Sequence, residues 1–183
     1  MYYLRKIDIK RWNGRPDGDS DSVSDLVTSN HELSVWEVDE DLSNLSDMAL
    51  ATALTKDKLE ELCFVLLRRE EIEAQYGWNV PLEAQDGVTG FDSQKQRHKN
   101  FMLHTISDMG QLASYIHAII KSEDVDRIKV ISEQDLLKML AKKFRSGEID
   151  ENKLKDKFGK WRKEANKIIA SEKAQTSAGQ TPV

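Results

Sequence analysis

Cysteine is nearly absent: Cys63 is the only one in 183 residues, so no intrachain disulfide forms. It lies in Leu62-Cys63-Phe64-Val65-Leu66-Leu67, where it reads as a small buried hydrophobe. Nothing beside it in sequence marks an activated thiol. Long apolar stretches are missing as well. That run is the longest in the chain, far below the roughly 20 residues needed to span a bilayer. The opening Met1-Tyr2-Tyr3-Leu4-Arg5-Lys6 lacks the apolar core of a signal peptide. The expectation is a cytoplasmic protein with no membrane partner.

Catalytic signatures are equally scarce. The sequence contains no Gly-x-Ser-x-Gly, no Gly-Lys-Ser/Thr phosphate loop and no Gly-x-Gly-x-x-Gly. Its histidines are His31, His98, His104 and His117, and no two stand three or four apart, as a helical metal pair requires. Asp17-Gly18-Asp19-Ser20-Asp21 looks superficially like a calcium loop. Its glycine falls at the second position instead of the sixth, and Thr28 stands where the closing Glu belongs. A nuclease-type site needs an acidic residue and then a strand carrying Glu or Asp one residue before Lys, which the ending Leu67-Arg68-Arg69-Glu70-Glu71 does not supply. The expectation is therefore no enzyme, no cofactor and no metal. The alternative is an active site assembled from scattered groups such as His31, His98, Asp39 and Glu70.

What is present is charge and amphipathic pattern. Charged residues make up 32% and hydrophobic residues 39%, with a net charge of -5. The length suits one well-buried domain or a domain plus an appendage. Acidic residues crowd the stretch from Asp17 to Asp47, which has no Lys or Arg. Beyond Leu136 the balance reverses, with Lys138, Lys142, Lys143, Arg145, Lys153, Lys160, Lys163 and Lys167 among the cations. Such asymmetry points to interaction surfaces. The plainer alternative is ordinary solvated faces that attract each other within the fold.

Strands are expected at Tyr2 to Ile9, Leu33 to Val38, Leu62 to Leu67 and Arg127 to Ile131. Val80 to Phe91 reads as a ragged edge hairpin around Asp86-Gly87. Helices are expected near Ser22 to Thr28, around Leu45 to Leu54, from Arg68 to Gln75 ended by Gly77, from Ser132 to Gly147, and from Asp150 through Ile168. The clearest pattern spans Ser93 to Ser122. Met102, Ile106, Met109, Ala113, Ile116 and Ile120 recur at steps of three and four, widened by Phe101, Leu112, Tyr115 and Ile119. It predicts one long helix, with Ser93 and Gln96 as its capping box and Gly110 as a close-packing notch.

The fold class expected is α+β: a three- or four-stranded sheet covered by the long amphipathic helix, with a helical C-terminal third. The expected organisation is an α+β core at 1–131, a helical region at 132–172 and a disordered tail at 173–183. Two functional surfaces follow. Surplus apolar positions, Phe101, Leu112 and Ile119, together with Phe158 and Trp161 of the last helix, are candidate partner-binding residues. Lys157, Lys160, Lys163 and Lys167 are candidate phosphate contacts if that helix binds nucleic acid. Its acidic neighbours Asp156, Glu164 and Glu172 weaken that field.

Three fragments carry a resemblance. They are Met1-Tyr2-Tyr3-Leu4-Arg5-Lys6-Ile7 followed by Trp12; Ser24-Asp25-Leu26 leading to Leu33-Ser34-Val35-Trp36; and the stretch centred on His98. Together they resemble the small accessory subunits encoded beside ABC-type or SMC-like ATPases in bacterial anti-phage systems of the Lamassu type. The resemblance covers the N-terminal two-thirds of the chain. It implies a non-enzymatic subunit that assembles with an ATPase and an effector nuclease, with nucleic acid reached through the complex. It transfers no functional residue.

Overall fold

The computed structural model describes residues 1–17, 19–28, 30–55, 60–77, 80–84, 90–122, 124, 126–154 and 156–178. Among these residues six strands form: β1 (Tyr2–Ile7), β2 (Glu32–Val38), β3 (Leu62–Leu67), β4 (Leu82–Ala84), β5 (His98–Met102) and β6 (Ile128–Ile131). They make one sheet in the order β4-β5-β2-β1-β3-β6, with every pairing antiparallel. The helices are α1 (Ser20–Ser24), α2 (Leu45–Ala53), α3 (Arg69–Tyr76), α4 (Ile106–Lys121), α5 (Glu133–Ser146) and α6 (Gly159–Ala178). No helix among the described residues is long and apolar enough to cross a membrane.

The class is α+β, but the sheet is larger than the expected three or four strands. β3 is buried along its whole length, as its apolar run requires. Leu33 and Val35 point to one face of the sheet, and Trp36 and Val38 to the other, which is the period of a strand. Each face buries its own core. On one face α2, α5 and α6 cover Leu4, Trp36, Phe64 and Leu66. On the opposite face Leu112, Ala113 and Ile116 of α4 pack with Trp12, Ile72, Leu33, Val65 and Phe101. The C-terminal helices thus share a core with the sheet.

The predicted long helix is corrected. The stretch from Ser93 begins in a 3-10 turn, Asp92–Arg97, continues as β5 and becomes helical only at Ile106. The capping box belongs to Thr105 and Asp108, which exchange hydrogen bonds of 3.1 and 2.8 Å. Ile106, placed in the apolar stripe by spacing, is 81% exposed. Gly110 is no packing notch, because a Cβ there meets nothing within 4 Å.

Other boundaries shift less. Gly77 and Gly147 close α3 and α5 in the left-handed conformation, at φ of 63° and 72°. Ser132 caps α5 by accepting from the Asp135 amide. Among the described residues of the expected hairpin region, β4 is the one strand, and it pairs with β5; residues 85–89, with Asp86 and Gly87, lie outside the described residues. α6 starts at Gly159, not Asp150, and its backbone stays helical to Ala178, past Lys173. Residues 179–183 of the predicted tail lie outside the described residues.

Candidate functional site

The five apolar residues expected at a partner surface are all interior. Phe101 and Leu112 are fully covered and Ile119 is 4% exposed, all in the core between α4 and the sheet. Phe158 and Trp161 lie in the opposite core with rings 5.0 Å apart, anchoring α6 to α5 and the sheet. The sheet is wider than expected, so it absorbs the apolar surplus that sequence alone left unassigned. These residues hold the fold together and present no surface.

The lysines behave differently. Lys160, Lys163 and Lys167 are exposed. Separated by three and four residues, they form one stripe along α6. Trp161 and Ala165 form the buried stripe, and the helical period of 3.6 residues sets it nearly opposite the lysines. Lys167 pairs with Glu164 at 2.8 Å. The Lys157 side chain lies outside the described residues. From residue 170 to 174 every side chain is exposed, so α6 runs on past its last packed turn.

Part of the acidic segment lies elsewhere. Asp19 and Asp21 flank or lie in α1, on the face of the sheet opposite α6, and Asp17 approaches Lys121 of α4 at 3.6 Å. The one described ion pair joining the acidic stretch to the basic C-terminal part is Lys143 to Asp47, at 2.9 Å. Lys143 also bonds Glu148 at 2.7 Å. The acidic stretch also finds cations elsewhere in the fold, Asp39 with Arg97 at 2.7 Å and Glu37 with Lys99 at 3.8 Å, and Asp47 lies in α2, on the same face as α5 and α6.

Titratable groups do cluster in one place. At the end of the sheet where β3 meets α3, the Tyr115 hydroxyl donates to Glu71 at 2.5 Å and accepts from the Arg127 guanidinium. Arg127 also holds Glu71 at 2.6 Å and the Leu66 carbonyl at 2.9 Å. Burial, followed by the Glu71 bond, pushes the Tyr115 hydroxyl up to about 12. Burial works to raise Glu71, but bonds from Tyr115 and Arg127 outweigh it and leave the carboxyl below its ordinary value. Arg68 extends the chain of contacts to Tyr2 and Glu40. Each cation here already holds an acid, so the cluster works as a clamp between α3, α4 and the sheet.

The described contacts of the four scattered catalytic candidates lead to other residues. Asp39 pairs with Arg97 at 2.7 Å. His98 hydrogen-bonds the Ser34 hydroxyl and meets the Trp36 ring edge-on at 4.9 Å. His31 stands 6.2 Å from His104, and Glu70 lies in the first turn of α3. Among the described residues no three His, Cys, Asp or Glu are placed to hold a metal ion. Burial raises the Cys63 thiol to about 11, away from a reactive thiolate.

One cavity was not foreseen. The ladder between β1 and β2 pairs Tyr2 with Val38, Tyr3 with Glu37 and Leu4 with Trp36, then stops. β1 continues to Ile7 beside β3, and β2 begins at Glu32 beside β5. The sheet therefore parts into two three-stranded halves. A cleft of about 180 Å³ opens in the fork, lined by Arg5, Lys6, Ser34, Trp36, Thr52 and Thr55 among others.

No family model matches the chain, and no curated protein or solved structure matches it.

Proposed function

We propose that this chain is a non-enzymatic accessory subunit of a bacterial multi-protein complex and that it docks through α6. The observation that carries the reading is the stripe of Lys160, Lys163 and Lys167, exposed on α6 opposite the buried Trp161 and Ala165. A helix this polar beyond its packed turns gains little from its own propensity. Its exposed lysines suit an acidic surface on a partner. The sequence resemblance supplies the partner: an ABC- or SMC-type ATPase acting with an effector nuclease in anti-phage defence.

The test is co-expression with an ABC- or SMC-type ATPase of a Lamassu-type system, followed by size-exclusion chromatography. The wild-type chain co-elutes with the ATPase, and the triple variant Lys160→Glu, Lys163→Glu, Lys167→Glu separates from it with an unchanged circular dichroism spectrum. Co-elution of the variant at wild-type yield overturns the reading.

A second reading, a nucleic-acid-binding module, rests on the same three lysines. Duplex DNA binding followed by anisotropy distinguishes it. Three phosphate contacts give a log–log salt slope of about -2.7, which Lys→Gln changes at the three positions remove.

A further inference from the structure

The described residues from Asp8 to Leu26, with the 3-10 turn Ile9–Arg11 and α1 among them, lie against α4 as a flap. Most of its polar bonds close on the flap itself. The Trp12 indole and the Asp8 amide donate to Asp25 Oδ2 at 2.8 and 3.0 Å. The Ser22 hydroxyl donates to the Arg11 carbonyl at 2.9 Å, and the Arg11 guanidinium donates to the Ser24 hydroxyl at 2.8 Å. Arg15 pairs with Asp21 at 2.9 Å. The described backbone bonds also stay inside, from Trp12 to Ile9, Val23 to Asp19 and Leu26 to Val23. A unit bonded in this way can open as a body while the sheet stays closed.

Trp12 and Leu26 supply the apolar hold on the core. Among the described residues, three polar ties join the flap to the rest of the fold. Arg5 on β1 donates to the Asp25 carbonyl at 3.1 Å. Asp17 approaches Lys121 at 3.6 Å, with both side chains more than half exposed. Ser22 meets His117 Nε2 at 3.0 Å, and both residues are buried. Ser22 has one hydroxyl proton and spends it on Arg11, so its oxygen accepts from the imidazole. Neutral His117 therefore carries its proton on Nε2. A second proton would go to Nδ1, for which no described residue offers an acceptor.

The charged groups around the ring do not make up for that. Asp17 and Asp19 on the flap favour the imidazolium, and Lys121 on α4 disfavours it. Asp17 is beside Lys121, and Asp19 accepts from the Asp21 amide at 2.9 Å. Asp25 holds Trp12, whose ring lies 5.0 Å from the imidazole, and Arg11 is turned to Ser24 and Asp8. Tyr76 of α3 feels the same Asp17, which with burial keeps its hydroxyl neutral. Burial outweighs the two acids at His117 and holds its pKa below the ordinary 6.5. Opening returns the ring to water, where it takes up a proton more readily, so acid favours the open form.

We propose that His117 is an acid-sensitive latch: neutral, it holds the flap on α4, and protonated, it releases the flap and uncovers Trp12 while the sheet stays folded. The device is separate from the lysine stripe on α6, and neither reading needs the other.

The experiment is amide hydrogen exchange of the ¹⁵N-labelled full chain by NMR, at about pH 7.5 and about pH 5.5, corrected for the intrinsic exchange rate. Protection of the Trp12, Val23 and Leu26 amides should fall about tenfold at the lower pH, as linkage requires when the ring titrates near its ordinary value only in the open form. The β3 amides should keep their protection. His117→Gln keeps a donor for Ser22 and removes the titration, so its flap is equally protected at both pH values. If that variant does not fold, the wild-type imidazole decides, followed by its ring protons. A His117 midpoint below 6.5 supports the latch, and a midpoint at or above that value overturns it. Equal flap protection at both pH values in the wild type, an equal loss in β3, or an undiminished loss in His117→Gln also overturns it.

Discussion

On the face of the sheet covered by α2, α5 and α6, the largest buried groups are Trp36, Phe64, Phe91, Phe158 and Trp161, and they meet mostly other apolar side chains. On the α1, α3 and α4 face, three buried rings carry polar handles with hydrogen-bond partners. Trp12 bonds Asp25 at 2.8 Å, His117 bonds Ser22 at 3.0 Å and Tyr115 bonds Glu71 at 2.5 Å. The first face is held mainly by area removed from water, which has no direction. The second adds directional bonds between helices and loops that have no other reason to sit in register. Stability on the first side should follow side-chain volume. On the second it should also respond to hydrogen-bond chemistry and pH.

The most severe break of this contrast is Trp161→Ala. It empties a fully packed position beneath α6 and should cost about 3–5 kcal/mol by urea denaturation, enough to release the helix that carries the lysine stripe. Tyr115→Phe on the other face keeps the ring and deletes only the hydroxyl that bonds Glu71 and Arg127. A loss of about 1–3 kcal/mol is expected, and a loss near zero would remove the distinction between the faces. Gly110→Ala on α4 should run the other way. Its Cβ enters open space, so the helix gains about 1 kcal/mol in propensity, read as a higher midpoint with an unchanged urea m-value.

The smallest effect is a pH dependence. Burial holds the His117 imidazole below its usual value of 6.5, against an opposing pull from Asp17. The unfolded chain therefore takes up this proton first as pH falls. The contribution is fully present above about 6.5 and is lost as the pH drops towards the folded-state value. His117→Gln should flatten the wild-type decline in unfolding free energy between neutral and mildly acidic pH. An equal decline in both proteins would assign it to other groups.

Much of the fold is legible in the sequence where local chemistry is self-sufficient. β3 is apolar on both faces, and Ser132 and Gly147 mark both ends of α5. β5 is not legible because two of its buried residues are polar. His98 and Asn100 meet Ser34 and Glu32 on β2, more than sixty residues away, and no hydropathy pattern records that. Met102, Ile106 and Met109 then fall by chance at helical spacing across a strand, a turn and a helix start. Thr105 and Asp108 held the correcting signal, a capping pair three residues apart. The lysine stripe is legible, since its spacing against Trp161 and Ala165 is that of a helix. The fork at Arg5 is not, because it depends on where one ladder ends.

The strand order has a consequence in time. β1 occupies the middle of the sheet, and its two neighbours β2 and β3 are the next strands to leave the ribosome. The sheet can grow outward, but β5 and β6, which cover the outer edges of β2 and β3, are made last. At ~5–20 residues per second, the interval between Leu67 and Ile131 lasts about 3 to 13 seconds. Throughout it, a strand apolar on both faces stands with an open edge, the template on which nascent chains stick to one another. The yield of this protein in a cell should therefore depend on how well that interval is chaperoned.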